Sequence, residues 1–262
     1  MTISPVRSFT SRLKPLACAL ALVASAAAVQ AAELTVLSAG AIEPGLKAAA
    51  AAFDQQTGHT TRITFNTAPE LRKKMQSNPA FDVVIAPSAV IGEFATAGQL
   101  AETRANVGRV GMGVAVREGA PVPDISSPDA LRLAVLDADS LVFNRASTGL
   151  YLEGLLKKMD VYSQVEGKST RYPDGAAVME HVLNNASNRN REIGFGAMTE
   201  ILLYADKGLR FVGPVPAAVQ NYTAYTAAPL ASGQQQALAQ NFVSFLAGPV
   251  GKPLFVAAGV TD

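Results

Sequence analysis

The segment from Asn144 to Gly149 (NRASTG) combines a guanidinium, two hydroxyls and the start of a predicted helix. Backbone amides at a helix N-terminus attract anions, and Arg145 adds a permanent positive charge. Ser147 and Thr148 would equally serve as ordinary helix-capping residues. Because capping needs no additional cation, Arg145 favours an anion-binding site in which both hydroxyl residues contact the ligand.

A second segment, TRYPDG, runs from Thr170 to Gly175 and also leads into a predicted helix. It supplies the guanidinium of Arg171 and the hydroxyl of Tyr172, both candidates for ligand binding. Arg171 is explained equally well as a ligand clamp or as half of a salt bridge between two lobes. Asp174 is a candidate acid or base, although a carboxylate there would also simply cap the helix.

Glu43 lies in the sequence GAIEP, where a strand turns into a helix. One interpretation is a favourable interaction with the helix dipole, worth about 0.3–1 kcal/mol. The other is a general base, because a carboxylate facing an anion pocket has a use if it accepts a proton. We predict Glu43 as the base, with Tyr151 and Asp174 as alternative catalytic residues.

Alternating strand and helix patterns predict an α/β protein with a parallel-rich sheet, beginning with strands near residues 34–37, 61–65 and 82–86. Ligands of such sheets bind where the carboxyl ends of strands meet the following helices. This rule adds further candidate ligand contacts from the loops and first helical turns, namely Asn66, Thr67, Arg72, Pro87 and Ser88.

Two further strands, near residues 109–116 and 221–225, are placed to cross between lobes. We therefore predict one lobe from residues 32–113 plus 225–262, a second lobe from residues 114–224, and a ligand cleft between them. Tyr222, on the second crossing strand, is a further candidate contact.

The N-terminal residues have the pattern of a secretory signal peptide: basic residues, an apolar run over 16–29 and small residues before Ala32. We predict cleavage after Ala31 and a periplasmic location. Cys18, the single cysteine of the sequence, would leave with the signal, so the mature chain would hold no disulfide or thiolate site.

Twenty-two basic residues against 21 acidic ones leave no surplus for nucleic-acid binding. The two histidines, His59 and His181, fall away from the predicted cleft, and no metal-ligand set, Walker loop or dinucleotide fingerprint is present. We predict no nucleic-acid partner, no metal and no cofactor.

The first strand with its SAGA loop, the DVVI strand, the STGLY and IGF segments and the final FLAGP resemble the periplasmic molybdate-binding proteins. The resemblance implies the type II periplasmic-binding-protein fold and a tetrahedral oxyanion held by two serines, backbone amides and a tyrosine. Those side chains fall on Ala41, Ala68 and Ala197 here, so we expect molybdate and sulfate to bind weakly or not at all.

The NRASTGLY and TRYPDG segments are similar to a divergent branch of that family, which contains bacterial aconitate isomerase. This resemblance implies a small anionic ligand, a tricarboxylate, and an allylic proton shift between trans- and cis-aconitate. Glu43 would be the base, and Arg145 and Arg171 would clamp carboxylates. The alternative is a binding protein that delivers a carboxylate or another oxyanion to the permease of an ABC transporter.

Overall fold

The computed structural model describes residues 1–2, 31–77, 80–185 and 190–262. The chain divides between Gln30 and Ala31 into two units, and the following description concerns the second. The predicted signal peptide, apart from Met1, Thr2 and Ala31, lies outside the described residues, and so does Cys18.

Strands within the described residues form a nine-stranded mixed sheet. Their bounds are β1 (Glu33–Ala39), β2 (Thr60–Asn66), β3 (Val83–Pro87), β4 (Ala105–Arg117), β5 (Ser140–Asn144), β6 (Ser169–Tyr172), β7 (Glu192–Ala197), β8 (Leu209–Pro214) and β9 (Tyr222–Pro229). The order across the sheet is β2-β1-β3-β9-β4-β7-β5-β6, with β8 also paired to β4.

Helices cover the sheet and connect most of the strands. Their bounds are α1 (Glu43–Thr57), α2 (Ala68–Gln76), α3 (Ser88–Thr96), α4 (Pro128–Asp137), α5 (Ser147–Lys158), α6 (Tyr162–Val165), α7 (Gly175–Asn184), α8 (Met198–Leu202), α9 (Gln236–Leu246) and α10 (Gly251–Ala257). In the part of the chain that the structure describes, no helix is long and apolar enough to cross a membrane.

Two groups of parallel strands end in the same region. In the first group, β1 runs parallel to β2 and β3, and Ala39 at the end of β1 stands beside Asn66. In the second group, β5 runs parallel to β6 and β7, and Asn144 stands beside Tyr172. We call these the β1 group and the β5 group. Each therefore delivers the ends of its strands, and the helices that follow, to one edge.

Burial explains the composition of the central strands. Every residue of β3 (VVIAP) and β5 (SLVFN) is buried, as expected for parallel strands that are covered on both faces. In the β1 group, Phe53 packs edge-on against Phe242 at 5.0 Å between ring centroids. Asp82 accepts hydrogen bonds from the backbone of Thr35 and of Gln235, each at 2.9 Å, and so ties β1 to the segment before α9.

The strand β4 lies between the two groups in the sheet. Its first part, up to Gly111, pairs with β9, and its second part, from Met112, pairs with β7. Where the partner changes, the side-chain amide of Gln220 accepts from the backbone N–H of Met112 at 2.7 Å and donates to the carbonyl of Met112 at 2.9 Å. The lobe boundaries at 113/114 and 224/225 stay predictions.

Some elements differ from the sequence-based expectation. Residues 169–172 form β6, a strand that the sequence analysis did not predict, because Pro173 and Gly175 dominate the local pattern. The helix α10 was also not predicted. It contains Pro253, which is tolerated because it lies in the first helical turn, where an amide hydrogen is not needed.

Candidate functional site

A cleft of about 530 Å³ lies where the β1 group and the β5 group end. Its walls come from both groups and from the segment after β7. The residues that line it are Ala39, Gly40, Ala41, Glu43, Lys47, Phe65, Asn66, Thr67, Ala68, Glu70, Pro87, Asn144, Ala146, Ser147, Thr148, Pro173, Asp174, Gly175, Ala176, Glu200, Leu203, Tyr204, Lys207 and Tyr225.

Helix N-termini from both groups face this cleft. Ser147 and Thr148 form the first turn of α5, and the side chain of Asn144 accepts from the amides of Ala146 and Gly149 at 3.1 and 2.9 Å. Gly149 has no room for a side chain, because an added Cβ would lie 1.8 Å from the carbonyl oxygen of Asn144. The close turn therefore places the positive end of α5 at the cleft wall.

The start of α7 forms the neighbouring wall. The carboxylate of Asp174 accepts a hydrogen bond from the backbone N–H of Ala177 at 2.9 Å, which makes Asp174 the N-cap of this helix. Asp174 also lines the cleft. The capping alternative raised by the sequence is therefore observed, and the carboxylate faces the cleft as well.

Glu43 is the first residue of α1 and lines the cleft with 30% of its side chain exposed. Its carboxylate accepts a hydrogen bond from the ammonium group of Lys47, one helical turn later. Lys47 and Lys207 are the cations among the lining residues that the structure describes. Glu43 therefore faces the cleft as one partner of an ion pair.

Glu200, in the first turn of α8, is a half-buried carboxylate that lines the cleft. An added Cβ at Gly175 would lie 2.0 Å from Oε2 of Glu200, and one at Gly40 would lie 3.7 Å from Oε1. Burial is the main cause that raises the pKa of Glu200 to about 7, and the negative charges of Asp174 and Glu43 raise it further. A backbone hydrogen bond from Ala197 has the opposite effect and lowers it. Unlike ordinary carboxyls, Glu200 is half protonated near neutral pH.

Two tyrosines stand near Glu200 in the lining. Burial and the charge of Glu200 raise the pKa of Tyr225 well above its usual range, so Tyr225 keeps its proton. Burial also raises the pKa of Tyr204. The ammonium group of Lys207 lies over the ring of Tyr204, 4.5 Å from its centroid. Both hydroxyls are neutral at physiological pH.

Seven residues selected from the sequence line the cleft together. They share positions at strand ends or in first helical turns and are Glu43, Asn66, Thr67, Pro87, Ser147, Thr148 and Asp174. Because these positions follow from the order of strands and helices, the rule that ligands bind at strand ends was sufficient to find them.

Arg171 does not line the cleft. Its guanidinium donates to Glu153 at 2.5 Å and lies over the ring of Phe143 at 5.2 Å. Glu153 lies in α5, so this ion pair lies within residues 114–224 and does not connect the predicted lobes. Tyr172 is also turned away, with its hydroxyl 2.6 Å from Nδ1 of His181.

Four other selected residues contact protein groups outside the lining. Arg72 forms two hydrogen bonds of 2.7 Å with Glu93, and Ser88 lies 2.8 Å from the hydroxyl of Thr226.

Tyr151 donates to the carbonyl of Val219 at 2.9 Å. The guanidinium of Arg109 lies over the ring of Tyr222, 4.8 Å from the ring centroid. These partners lie far away in the sequence, which is why local patterns did not identify them.

Arg145 stands between the lining residues Asn144 and Ala146 with an exposed side chain. Among the described residues, no carboxylate lies within ion-pair distance of its guanidinium. Its backbone N–H donates to the carbonyl of Tyr172 at 2.8 Å. Arg145 is therefore an exposed cation without a carboxylate partner among the described residues, and its two sequence neighbours line the cleft.

Sequence reasoning missed several lining residues, namely Lys47, Glu70, Glu200, Tyr204, Lys207 and Tyr225. The strand-end rule could have found one of them, because Glu200 lies three residues after Ala197, the last residue of β7. Ala41 and Ala68 line the cleft, and Ala197 is buried. Within the described ranges, no group of His, Cys, Asp and Glu is arranged to hold a metal ion.

Comparison with known proteins decides the family. Residues 34–261 match the family of bacterial extracellular solute-binding proteins, which is nearly the whole of the chain from β1 onward. The chain belongs to this family. Solute-binding proteins of this group are extracellular or periplasmic.

Relatives with a known name include an aconitate isomerase of Pseudomonas sp, 29% identical over 221 residues that cover 82% of each chain. The periplasmic molybdate-binding protein of Azotobacter vinelandii superposes with a TM-score of 0.68 at 18% identity, covering 87% of this chain and 99% of that chain. A sulfate-binding protein of Mycobacterium tuberculosis superposes with a TM-score of 0.67 at 14% identity, covering 87% and 86%.

The predicted fold class is confirmed: this solute-binding protein has the type II periplasmic-binding-protein fold of its structural neighbours. The predicted family resemblance is also confirmed, both to molybdate-binding proteins and to aconitate isomerase.

Proposed function

We propose that the chain is a periplasmic isomerase that interconverts trans- and cis-aconitate by an allylic proton shift, without a cofactor. The observation that carries the proposal is the meeting of helix N-termini and carboxylates in one cleft. The starts of α1, α2, α5 and α7 contribute lining residues, and so do Glu43, Asp174 and Glu200.

Binding and chemistry require different groups. Helix N-termini and hydroxyls suit the carboxylates of a small anionic substrate, and Ser147, Thr148 and Thr67 stand at such positions. Arg145, an exposed cation between the lining residues Asn144 and Ala146, would clamp one carboxylate. Carboxylates in the same cleft repel an anion, so their presence favours a protein that handles protons over one that only binds.

The proposed reaction moves one proton out and one proton in. Glu43 takes a proton from the methylene carbon, and the electron pair of that C–H bond forms the new double bond. The electrons of the old double bond then take up a proton at the former vinyl carbon, and the protonated Glu43 supplies this proton and becomes a carboxylate again. In between, negative charge spreads onto a substrate carboxylate, where helix N-termini and Arg145 stabilise it.

Similarity to the aconitate isomerase of Pseudomonas sp supports this proposal, because 29% identity extends over 82% of both chains. Export with cleavage after Ala31 is part of the same proposal and agrees with membership of an extracellular family. Asp174 is the alternative base, since it lines the cleft as Glu43 does. Tyr151 is a weaker alternative because its hydroxyl is bound to a backbone carbonyl.

The decisive experiment incubates purified protein with trans-aconitate in heavy water and follows cis-aconitate and the methylene protons by NMR. We expect turnover with exchange of the methylene protons, and a loss of about 10²–10⁴-fold for Glu43→Gln. Glu102→Gln is the matched control, because Glu102 is exposed and does not line the cleft. Normal turnover by Glu43→Gln would move the base to Asp174.

A second candidate function is a solute-binding protein that passes a carboxylate or another oxyanion to an ABC-transporter permease. The family description favours it, because the family is one of extracellular solute-binding proteins. The same NMR experiment separates the two candidates. Tight binding of a tricarboxylate without conversion or exchange would support delivery to a transporter.

A further inference from the structure

Glu200 has no role in the reaction proposed above, yet its carboxylate fills the space beside Gly175. An added Cβ at Gly175 would lie 2.0 Å from Oε2 of Glu200, whereas added Cβ atoms at Gly40 and Gly196 would lie at ordinary contact distances of 3.7 and 4.0 Å. A side chain at Gly175 would collide with the carboxylate. The neighbouring Thr199 donates a hydrogen bond to the carbonyl of Ala41, which holds this segment against the loop before α1.

Charge around Glu200 is predominantly negative. Glu43 at the start of α1 and Asp174 at the cap of α7 both act on it electrostatically. Tyr204, after α8, and Tyr225, on β9, are neutral neighbours in the same lining.

The cations of the lining, Lys47 and Lys207, face Glu43 and the ring of Tyr204. A ligand with several negative charges would add to the repulsion that Glu200 already experiences.

We infer that Glu200 takes up a proton when a polycarboxylate enters the cleft and donates it in a hydrogen bond to a ligand carboxylate. The inference rests on the proposed function only in the class of ligand, because proton uptake requires no isomerisation. A protonated carboxyl is a hydrogen-bond donor, whereas a carboxylate can only accept. The same side chain thus turns from a repulsive group into a binding group.

Enclosure explains why Glu200 takes the proton. Burial penalises the charged form of a carboxyl, and a nearby negative charge penalises it further. The raised pKa of about 7 already places the free protein at the midpoint of this change near neutral pH. An anion in the cleft pushes the equilibrium in the same direction, so ligand binding and protonation of Glu200 favour each other.

Isothermal titration with tricarballylate, which has no double bond to move, tests the inference. At pH 8 in phosphate and in Tris, whose protonation enthalpies differ, the wild type should take up about one proton per ligand. Its affinity should fall about tenfold for each pH unit above 8. Glu200→Gln should take up none and keep its affinity across this range, since the amide donates a hydrogen bond at every pH.

Glu118→Gln is the control, because Glu118 is exposed and outside the lining; it should behave as the wild type. If Glu200→Gln does not fold, infrared difference spectra of the wild type provide the second measurement. Ligand addition at pH 8 should then produce the carbonyl band of a protonated carboxyl.

Binding with equal proton uptake by the wild type and Glu200→Gln would overturn the inference and leave the proposed function intact. Failure of tricarballylate, citrate and trans-aconitate to bind at all would overturn both.

Discussion

The carboxylate of Glu200 occupies the space that a side chain at Gly175 would need. An added Cβ at Gly175 would lie 2.0 Å from Oε2 of Glu200 and 2.3 Å from its Cδ. Gly175 begins α7, and Glu200 lies in α8. The two helices can therefore approach each other closely, because Gly175 has no side chain.

Gly175→Ala should therefore push the flexible Glu200 carboxylate aside, and this displacement should cancel the gain of up to about 1 kcal/mol that alanine usually gives a helix. Gly154→Ala is the matched control. Gly154 lies inside α5, and an added Cβ there meets nothing within 4 Å. We expect the control to gain up to about 1 kcal/mol, because alanine favours helix. Urea unfolding of both variants measures the difference, and equal stabilities would contradict the close approach.

The stability of the protein should depend on pH through Glu200. The pKa of Glu200 is about 7 in the folded protein, whereas an ordinary glutamate, as in the unfolded chain, has a pKa of 4.5. The folded state therefore binds the proton more tightly. The stability that Glu200 contributes is full below pH 4.5 and is lost as pH rises through about 7.

Relative to Glu200→Gln, the wild type should lose up to about 3 kcal/mol between pH 5 and pH 8. Urea unfolding at four pH values in this interval measures the difference. A constant difference between the two proteins would contradict the raised pKa.

Oxyanions of the molybdate type should bind poorly. Ala41 and Ala68 line the cleft, and Ala197 lies buried beside it, so none offers a hydroxyl donor where the family resemblance implies one. Thermal unfolding should show no shift with molybdate or sulfate and a clear upward shift with tricarballylate. A ligand at 100 times its Kd adds about 2.7 kcal/mol. A larger shift with molybdate would contradict this assignment.

Arg145 and Arg171, the arginines of the NRASTGLY and TRYPDG segments, should respond differently to alanine substitution. Arg145→Ala should weaken tricarballylate binding at least about tenfold, the effect of losing one charge-assisted hydrogen bond, with little effect on stability. Arg171→Ala should lower stability by about 1–3 kcal/mol, because Glu153 would lose a partner, and leave binding within a few fold. Calorimetry and urea unfolding measure both properties, and the reverse pattern would restore Arg171 as the clamp.

The processed protein should begin at Ala32 and contain no thiol. The reason is the small-residue pattern before the predicted cleavage site and the position of Cys18 upstream of it. The intact mass of the protein recovered from the periplasm of an expression host tests both points. A mass that includes residues before Ala32 would contradict the cleavage site.

Residues whose position depends on local chain order were predictable. Ser147 and Thr148 follow β5 directly and begin α5, so a strand pattern followed by capping residues was enough to place them at a strand end. The same applies to Asn66, which ends β2, and to Glu43, which begins α1. Parallel pairing then brings these ends to one edge of the sheet.

Residues whose role depends on distant partners were not predictable. Arg171 binds Glu153 of α5, and this pairing depends on which face of α5 packs against β5 and β7. The position of Glu200 depends on the close approach of Gly175 at the start of α7 and on the packing of α8 near the loop before α1. A single sequence contains no distances, so neither relation is visible in its patterns.

At the junction between the β1 group and the β5 group, the side chain of Gln220 takes the place of a paired strand. Its side-chain amide makes two hydrogen bonds with the backbone of Met112, at the point where β4 changes partners. If a strand were paired with β4 at Met112, a rotation of the two groups against each other would break its hydrogen bonds one after another. A side chain with several rotatable bonds can reorient and keep both hydrogen bonds, so the backbone groups of Met112 would stay paired during such a rotation.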